Sequence, residues 1–235
     1  MSDAARQIPL SFDHRPALDA EDFIVAEPNM AAVAWLDRWP GWPGDVLAIF
    51  GPAGSGKSHL AHVWRHRSGA RLVAGSALSV DAAAEVLAPK HRLVVEDADR
   101  GVDETALFHI MNMVREEKGS LLLTGRQAPA RWPVGLPDLR SRLAAVQVVE
   151  LLAPNDELLA AVLAKHFVDR QLKVADDVVD YLLPRMERSF AAVARIVAAL
   201  DRLSLAERRN ITVPLARRVL DYMTPHEEET SWTSD

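Results

Sequence analysis

Residues 51–60 read GPAGSGKSHL; they follow the apolar run DVLAIF (45–50) and overlap the helix-like stretch HLAHVWRHR (59–67). The first eight residues match G-x-x-x-x-G-K-[ST], the pattern of a phosphate-binding loop. Its glycines let the backbone curl so that N–H groups point at phosphate oxygens. Because a strand-like run precedes the motif and a helix-like run follows it, the segment predicts a nucleotide-binding α/β fold. A flexible glycine turn is the alternative.

The residue types of this loop suit a nucleotide with its metal ion. Lys57 would neutralise the β- and γ-phosphates, and Ser58 would ligate Mg²⁺. The positive end of the following helix would add to the attraction. The loop residues predicted to bind nucleotide are Gly51, Pro52, Ala53, Gly54, Ser55, Gly56, Lys57, Ser58 and His59.

Five short apolar runs predict the strands of a parallel sheet that is buried on both faces. They lie at 46–50, 71–75, 92–97, 120–125 and 146–152. Helical patterns lie between them at 59–67, 79–88 and 103–117. After Leu152 only helical patterns follow, and Asn155 or Asp156 is the expected N-cap of the first. We therefore expect a flexible arm at 1–15, a nucleotide-binding domain at 16–152, a helical lid domain at 153–223 and a disordered acidic tail at 224–235.

Composition restricts the kind of protein further. There is no cysteine among the 235 residues, which excludes disulfides and cysteine-based zinc sites and fits a reducing compartment. The sequence has no signal-peptide pattern and no apolar run of membrane-spanning length, so we expect a soluble cytoplasmic protein. The formal net charge of −6 disfavours strong DNA binding by this chain alone.

An acidic cluster follows the third apolar run, in RLVVEDAD at 92–99. Glu96, Asp97 and Asp99 stand where a phosphate loop needs acidic partners. One carboxylate would contact the Mg²⁺ shell and another would orient water. An acidic surface turn is the alternative.

Histidines and tryptophans offer two further candidate sites. His59, His62 and His66 share one helix face, a spacing that zinc would favour, but no acidic fourth ligand is evident. We therefore expect ordinary surface or interface histidines. The tryptophans, including Trp35, Trp39 and Trp42, are expected to pack rather than to stack on bases.

The chain resembles the AAA+ ATPases, and within them the DnaA clade. The resemblance covers about 22–222 and rests on GPAGSGKSHL, DFIVAEPNMAAVAWL (22–36), LLLTGRQAP (121–129) and LPDLRSRL (136–143), in the order of that clade. It implies an AAA+ module with a helical lid that binds ADP or ATP with Mg²⁺. It also implies that Ile24 and Val25 lie near the adenine.

Within the clade the chain is similar to the Hda-type regulators of DnaA. It shows neither the long N-terminal domain nor the C-terminal helix-turn-helix of the initiator. QIPLSF (7–12) resembles the peptide that bacterial proteins insert into the sliding clamp of DNA polymerase III. Gln7, Ile8, Leu10 and Phe12 would then bind the clamp, with Leu10 and Phe12 in an apolar pocket. The implied partners are DnaA and the clamp, with DNA reached through the clamp. An unstructured tail is the alternative, and association between copies stays open.

The resemblance assigns an arginine finger to LPDLRSRL. Arg142 stands at the position that acts in trans on a neighbour's γ-phosphate, and Arg140 stands beside it. Such a finger stabilises charge that develops in the transition state. A surface salt bridge is the alternative for Arg142.

Three positions around the pocket depart from the clade. The acidic pair is Glu96-Asp97 rather than two aspartates or Asp-Glu, and Arg126 stands where Asp or Asn is usual. The sensing arginine of the lid is replaced by Ala191, although Arg195 one turn later could substitute. These departures predict that the chain binds nucleotide but hydrolyses it poorly. The nucleotide would then serve as a structural ligand, a role for which ADP would suffice.

Three functions are compatible with these observations. The first is a negative regulator of replication initiation that binds the clamp and offers Arg142 to ATP held by DnaA. The second is an autonomous ATPase, such as a helicase loader, which needs a competent water-activating carboxylate and self-assembly. The third is a nucleotide-gated adaptor with no catalytic contribution.

Overall fold

The computed structural model describes residues 24–87 and 90–223. The strands are β1 Val46–Phe50, β2 Arg71–Ala74, β3 Arg92–Glu96, β4 Ser120–Gly125 and β5 Gln147–Glu150. The helices are α1 Glu27–Asp37, α2 Lys57–Ser68, α3 Val80–Leu87, α4 Glu104–Glu116, α5 Pro137–Ala144, α6 Asp156–Asp169, α7 Asp176–Leu182, α8 Phe190–Glu207 and α9 Val213–Met223. The predicted arm at 1–15 and tail at 224–235 lie outside the described residues.

The five strands form one parallel sheet in the order β2-β3-β4-β1-β5. In the centre, Val46 of β1 and Leu93 of β3 both pair with Leu121 of β4. The prediction that all five strands are buried on both faces is wrong for β2 and β5. Both are edge strands with partly exposed residues, because each has a neighbour on one side only.

The sheet is covered by helices on both faces, and β1 shows how its residues divide. Val46 and Ala48 pack into a core with α3, α4 and α5. Leu47 and Ile49 pack into a second core with α1 and α2. Successive strand residues point to opposite faces, so one short apolar run serves both cores.

Aromatic packing reinforces the second core, as expected for the tryptophans. The ring of Trp42 lies 5.0 Å from that of Trp64, and the ring of Trp39 lies 6.0 Å from it. Trp39 Nε1 also donates to Ser120 Oγ at 3.0 Å, which links the residues after α1 to the start of β4. Trp64 is fully buried, so this cluster belongs to the interior.

The chain divides into two compact units between Ala153 and Pro154. The C-terminal unit contains α6 to α9 and has an apolar core of its own. Asn155 is the N-cap of α6, since its Oδ1 accepts from Leu158 N at 2.9 Å. Ser189 caps α8 in the same way through Ala192 N. Among the described residues, no helix is both long and apolar enough to cross a bilayer.

Candidate nucleotide site and arginine helix

The phosphate loop connects the end of β1 to the start of α2, as predicted. Gly51 N donates to Gly125 O at 3.2 Å, which fixes the loop to the end of β4. A Cβ atom on Gly51 would lie only 2.1 Å from Leu151 O, so a side chain there is excluded. Gly56, at φ 99°, is the residue from which α2 begins. The loop therefore lies at the carboxyl edge of the sheet, where parallel α/β folds bind ligands.

Lys57 folds back over this loop. Its Nζ donates to Gly51 O at 2.8 Å and to Pro52 O at 2.7 Å, and the residue is buried. Burial lowers the pKa of Lys57, which the charge of Asp97 opposes and that of Arg126 reinforces. The ammonium group thus lies inside the loop, among other charged groups, where a phosphate would meet it.

The remaining loop residues divide into buried and exposed positions. Ser55 is buried, and its Oγ has no hydrogen-bond partner in the described part of the chain. The residues whose surfaces stay exposed are Pro52, Ala53, Ser58 and His59. A buried hydroxyl without a hydrogen-bond partner inside a phosphate loop is the kind of group to which a bound ligand would hydrogen-bond.

The predicted acidic cluster lies at the same edge. Glu96 is the last residue of β3, and its Oε1 is buried without a partner among the described residues. Asp97 follows in a left-handed conformation with φ 50°, and its N–H donates to Thr124 Oγ1 at 3.2 Å. Because β4 lies between β1 and β3, both strand ends and the phosphate loop meet at one place.

Asp99 has a further role that its sequence position did not reveal. Its Oδ2 accepts from Arg126 N at 2.7 Å, which fixes the residue that follows β4. Its Oδ1 is buried without a partner in the described residues. The carboxylate of Asp99 thus fixes the backbone of Arg126, the residue directly after β4.

The donor set fits Mg²⁺. Glu96, Asp97 and Ser58 offer hard oxygen atoms, which that ion prefers, and Mg²⁺ commonly takes few protein ligands together with phosphates and water. No group of three His, Cys, Asp or Glu residues suited to a metal occurs within 24–87 and 90–223, and His59, His62 and His66 form none.

The opening segment is tied to this edge through α1. Asn29 Nδ2 donates to Ile24 O at 2.9 Å, and Asn29 Oδ1 accepts from Ala26 N at 2.9 Å. Leu152 N in turn donates to Pro28 O at 3.1 Å, which joins the first turn of α1 to the residues after β5. Ile24 and Val25 are both half-buried. Nothing in the sequence indicated this buried asparagine.

The two arginines of α5 differ in their surroundings. Arg140 donates from Nε and Nη2 to Val134 O, so its guanidinium is bound to the backbone just before α5. Arg142 is half-buried, and its Cζ lies 4.6 Å from the centre of the Phe108 ring. No carboxylate of the described residues pairs with Arg142. The alternative of a surface salt bridge for Arg142 thus finds no partner within this part of the chain.

Arg195 lies in the C-terminal unit, on α8. It pairs with Glu187 through Nη2 and Oε2 at 3.1 Å, and both side chains are more than half exposed. The clamp-binding candidates Gln7, Ile8, Leu10 and Phe12 lie outside the described residues.

Residues 156–220 match the family model described as the lid domain of Hda. The chain resembles Hda, a DnaA-related AAA+ protein. Domain III of the Thermotoga maritima replication initiation protein DnaA superimposes with a TM-score of 0.71 and 18% identity, over 90% of this chain and 99% of that one. AMPPCP-bound DnaA from Aquifex aeolicus gives a TM-score of 0.62 and 20% identity, over 83% of this chain and 69% of that one.

Two further comparisons complete the picture. The RuvB Holliday junction branch migration motor of Thermotoga maritima gives a TM-score of 0.63 at 14% identity, over 76% of this chain and 61% of that one. An uncharacterized protein of Haemophilus influenzae is 26% identical over 185 residues, which are 74% of this chain and 80% of that protein. The AAA+ fold predicted from the sequence is confirmed: a parallel sheet between helices, followed by an Hda-type lid.

Proposed function

We propose that this protein is a DnaA-related negative regulator of replication initiation that stimulates ATP hydrolysis by DnaA. In this mechanism the chain binds ADP or ATP with Mg²⁺ in its own phosphate loop. It binds the sliding clamp through Gln7, Ile8, Leu10 and Phe12, and reaches DNA through the clamp. It then offers Arg142 to the γ-phosphate of ATP held by DnaA.

The arrangement of Arg142 is the observation that supports this proposal. The guanidinium stacks on Phe108 and has no carboxylate partner in the described residues. Its N–H donors therefore remain available for phosphate oxygens, which a guanidinium can bind in pairs. Arg140, two residues earlier, already donates from Nε and Nη2 to Val134 O, so part of its donor set is used within its own chain.

The chemistry would take place on the partner's nucleotide. As the γ-phosphoryl group leaves, negative charge builds up on its oxygens, and a guanidinium placed there lowers the barrier. Arginine fingers of this kind accelerate hydrolysis by about 10³–10⁵. The chain's own nucleotide would serve chiefly as a structural ligand, because Arg126 and the Glu96-Asp97 order disfavour water activation in its own pocket.

The test measures turnover of ATP preloaded on DnaA, with clamp-loaded DNA and this protein present. Arg142→Ala should reduce the stimulated rate by on the order of 10³. Arg131→Ala, which removes an exposed arginine before α5, is the matched control and should leave the rate unchanged. Equal turnover by the Arg142→Ala and unaltered proteins would reject the mechanism and leave the adaptor function.

Two further arms separate the remaining proposals. Leu10→Ala with Phe12→Ala should abolish capture by immobilised clamp while nucleotide binding persists. Hydrolysis by the purified protein alone, lost in Asp97→Ala, would instead support an autonomous ATPase. That alternative has one observation in its favour, the buried and unpartnered Glu96 Oε1 beside the phosphate loop.

A further inference from the structure

We infer, on the basis of the proposed function, that Phe108 is a positioning residue that orients Arg142 for the partner's phosphate. Phe108 lies on α4, outside every motif that the sequence singles out. Its half-buried ring lies under the Arg142 guanidinium, with 4.6 Å between Cζ and the ring centre. Stacking on an aromatic face holds the plane of a guanidinium while its N–H edges remain free.

Helix α5 itself is held at its first turn by α4. Glu104 accepts from Gly135 N at 2.9 Å and from Leu136 N at 2.7 Å. Leu136 is the N-cap residue of α5 and has no side-chain acceptor of its own. A carboxylate from α4 thus supplies the hydrogen-bond acceptor that the N-cap residue of α5 cannot provide.

Glu104 and Phe108 are one helical turn apart, so they lie on the same face of α4. The first fixes where α5 begins, and the second fixes where the side chain of Arg142 lies. One face of α4 therefore contacts both the backbone at the start of α5 and the guanidinium of Arg142.

Arg140 does not share this arrangement. Residues two apart on a helix point about 200° apart, because each residue turns the helix by about 100°. Arg140 accordingly faces Val134 O, while Arg142 faces Phe108. The difference explains why only Arg142 of these two arginines contacts the Phe108 ring.

The first test observes the stack directly, without any partner. In ¹⁵N-edited spectra the Nε–H signal of Arg142, assigned by its loss in Arg142→Lys, should show a ring-current shift. Phe108→Leu should return that signal to the range of an ordinary arginine, and Phe108→Tyr should keep it shifted. An unchanged signal in Phe108→Leu would overturn the inference, whatever the activity of the protein.

The second test uses the stimulated hydrolysis of DnaA-bound ATP, measured at increasing concentrations of this protein. Phe108→Leu should lower the maximal rate about two- to fivefold, the scale of an exposed cation–π contact, with the half-saturating concentration unchanged. Phe108→Tyr should restore the rate. In the Arg142→Ala background Phe108→Leu should have no further effect, because the two residues act as a unit.

The outcomes distinguish the two proposals. If Phe108→Leu lowers the rate equally with and without Arg142, or if Phe108→Tyr fails to restore it, Phe108 does not act through the finger and the inference falls. If Arg142→Ala itself has no effect while the wild-type Nε–H signal is ring-shifted, the proposed function falls instead. The melting temperature of each variant, measured alongside, detects any loss of folding.

Discussion

The Nζ atom of Lys57 donates to the carbonyl oxygen of Gly51 at 2.8 Å, so the cation of the phosphate loop is held by the loop's own backbone. A phosphate in the loop would compete with the carbonyl oxygens of Gly51 and Pro52 for this ammonium group. The contact keeps a buried charge satisfied until a stronger acceptor arrives.

Replacing Lys57 should weaken ADP binding while it leaves the stability of the fold nearly unchanged. Lys57→Met removes the charge but keeps much of the side-chain volume, so we expect ADP affinity to fall by about 10- to 100-fold, the scale of a lost charge-assisted contact. The melting temperature should stay within a few degrees, because a cation whose pKa is lowered by burial contributes little to stability. Titration calorimetry with ADP and thermal unfolding measure the two effects. Unchanged affinity would contradict the assignment of Lys57.

The contact of Asp99 with Arg126 N should contribute to the stability of the fold. Asp99→Ala removes the acceptor at 2.7 Å, and we expect a loss of about 1–2 kcal/mol in the free energy of unfolding. Asp99→Asn keeps one acceptor oxygen and should lose less. Asp138→Ala, an exposed aspartate on α5, is the control. Urea unfolding that ranks Asp99→Ala no lower than this control would contradict the role.

The contact of Glu104 with the start of α5 predicts a pH dependence. Two backbone N–H donors, from Gly135 and Leu136, lower the pKa of Glu104 below its ordinary value. A depressed carboxyl pKa gives stability that is present above the unfolded value and is lost as the pH falls through the folded one. Glu104→Gln should therefore unfold at a lower temperature than the unaltered protein at pH 7, and the difference should shrink under acidic conditions.

Glu116→Gln provides the control for that experiment. Glu116 is exposed at the other end of α4, and no hydrogen bond to its side chain occurs in the described residues. The melting temperature of the Glu116→Gln variant should equal that of the unaltered protein at every pH. A gap between Glu104→Gln and the unaltered protein that stays constant with pH would show that the carboxylate charge is irrelevant.

The substitution of Arg195 tests whether the lid takes part in nucleotide binding. Its exposed ion pair with Glu187 should contribute less than about 1 kcal/mol to stability, so Arg195→Ala should fold normally. If Arg195 replaces the sensing arginine of the clade, its loss should weaken ADP binding about tenfold, the scale of one charge-assisted contact. Arg202→Ala, an exposed arginine on the same helix, should have no effect. Equal affinities of the two variants would leave Arg195 without a ligand role.

The fold was predictable because its strands are local apolar runs. β1 and β4 begin and end at the predicted residues, since both are central and almost wholly buried. α2 begins at Lys57, two residues before the predicted stretch, because Gly56 is the last residue with a loop conformation. β5 is shorter than the predicted run, because its ladder with β1 covers only Gln147–Glu150.

The nucleotide site was predictable in its motif and unpredictable in its supporting contacts. Lys57 and Glu96 stand in patterns whose chemistry is local to a few residues. The contacts of Glu104 with Leu136 and of Phe108 with Arg142 join residues more than thirty positions apart, and no periodicity connects them. Such pairs are fixed by tertiary packing, so they become visible only when the helices are placed side by side.

The positive φ of Asp97 restricts which residues this position accepts. Asparagine and glycine tolerate that backbone shape as readily as aspartate does, whereas bulkier residues do not. A single substitution of Asp97 by asparagine or glycine would remove a carboxylate from the pocket and keep the backbone conformation. A nucleotide held there would then depend on the remaining groups of the phosphate loop alone.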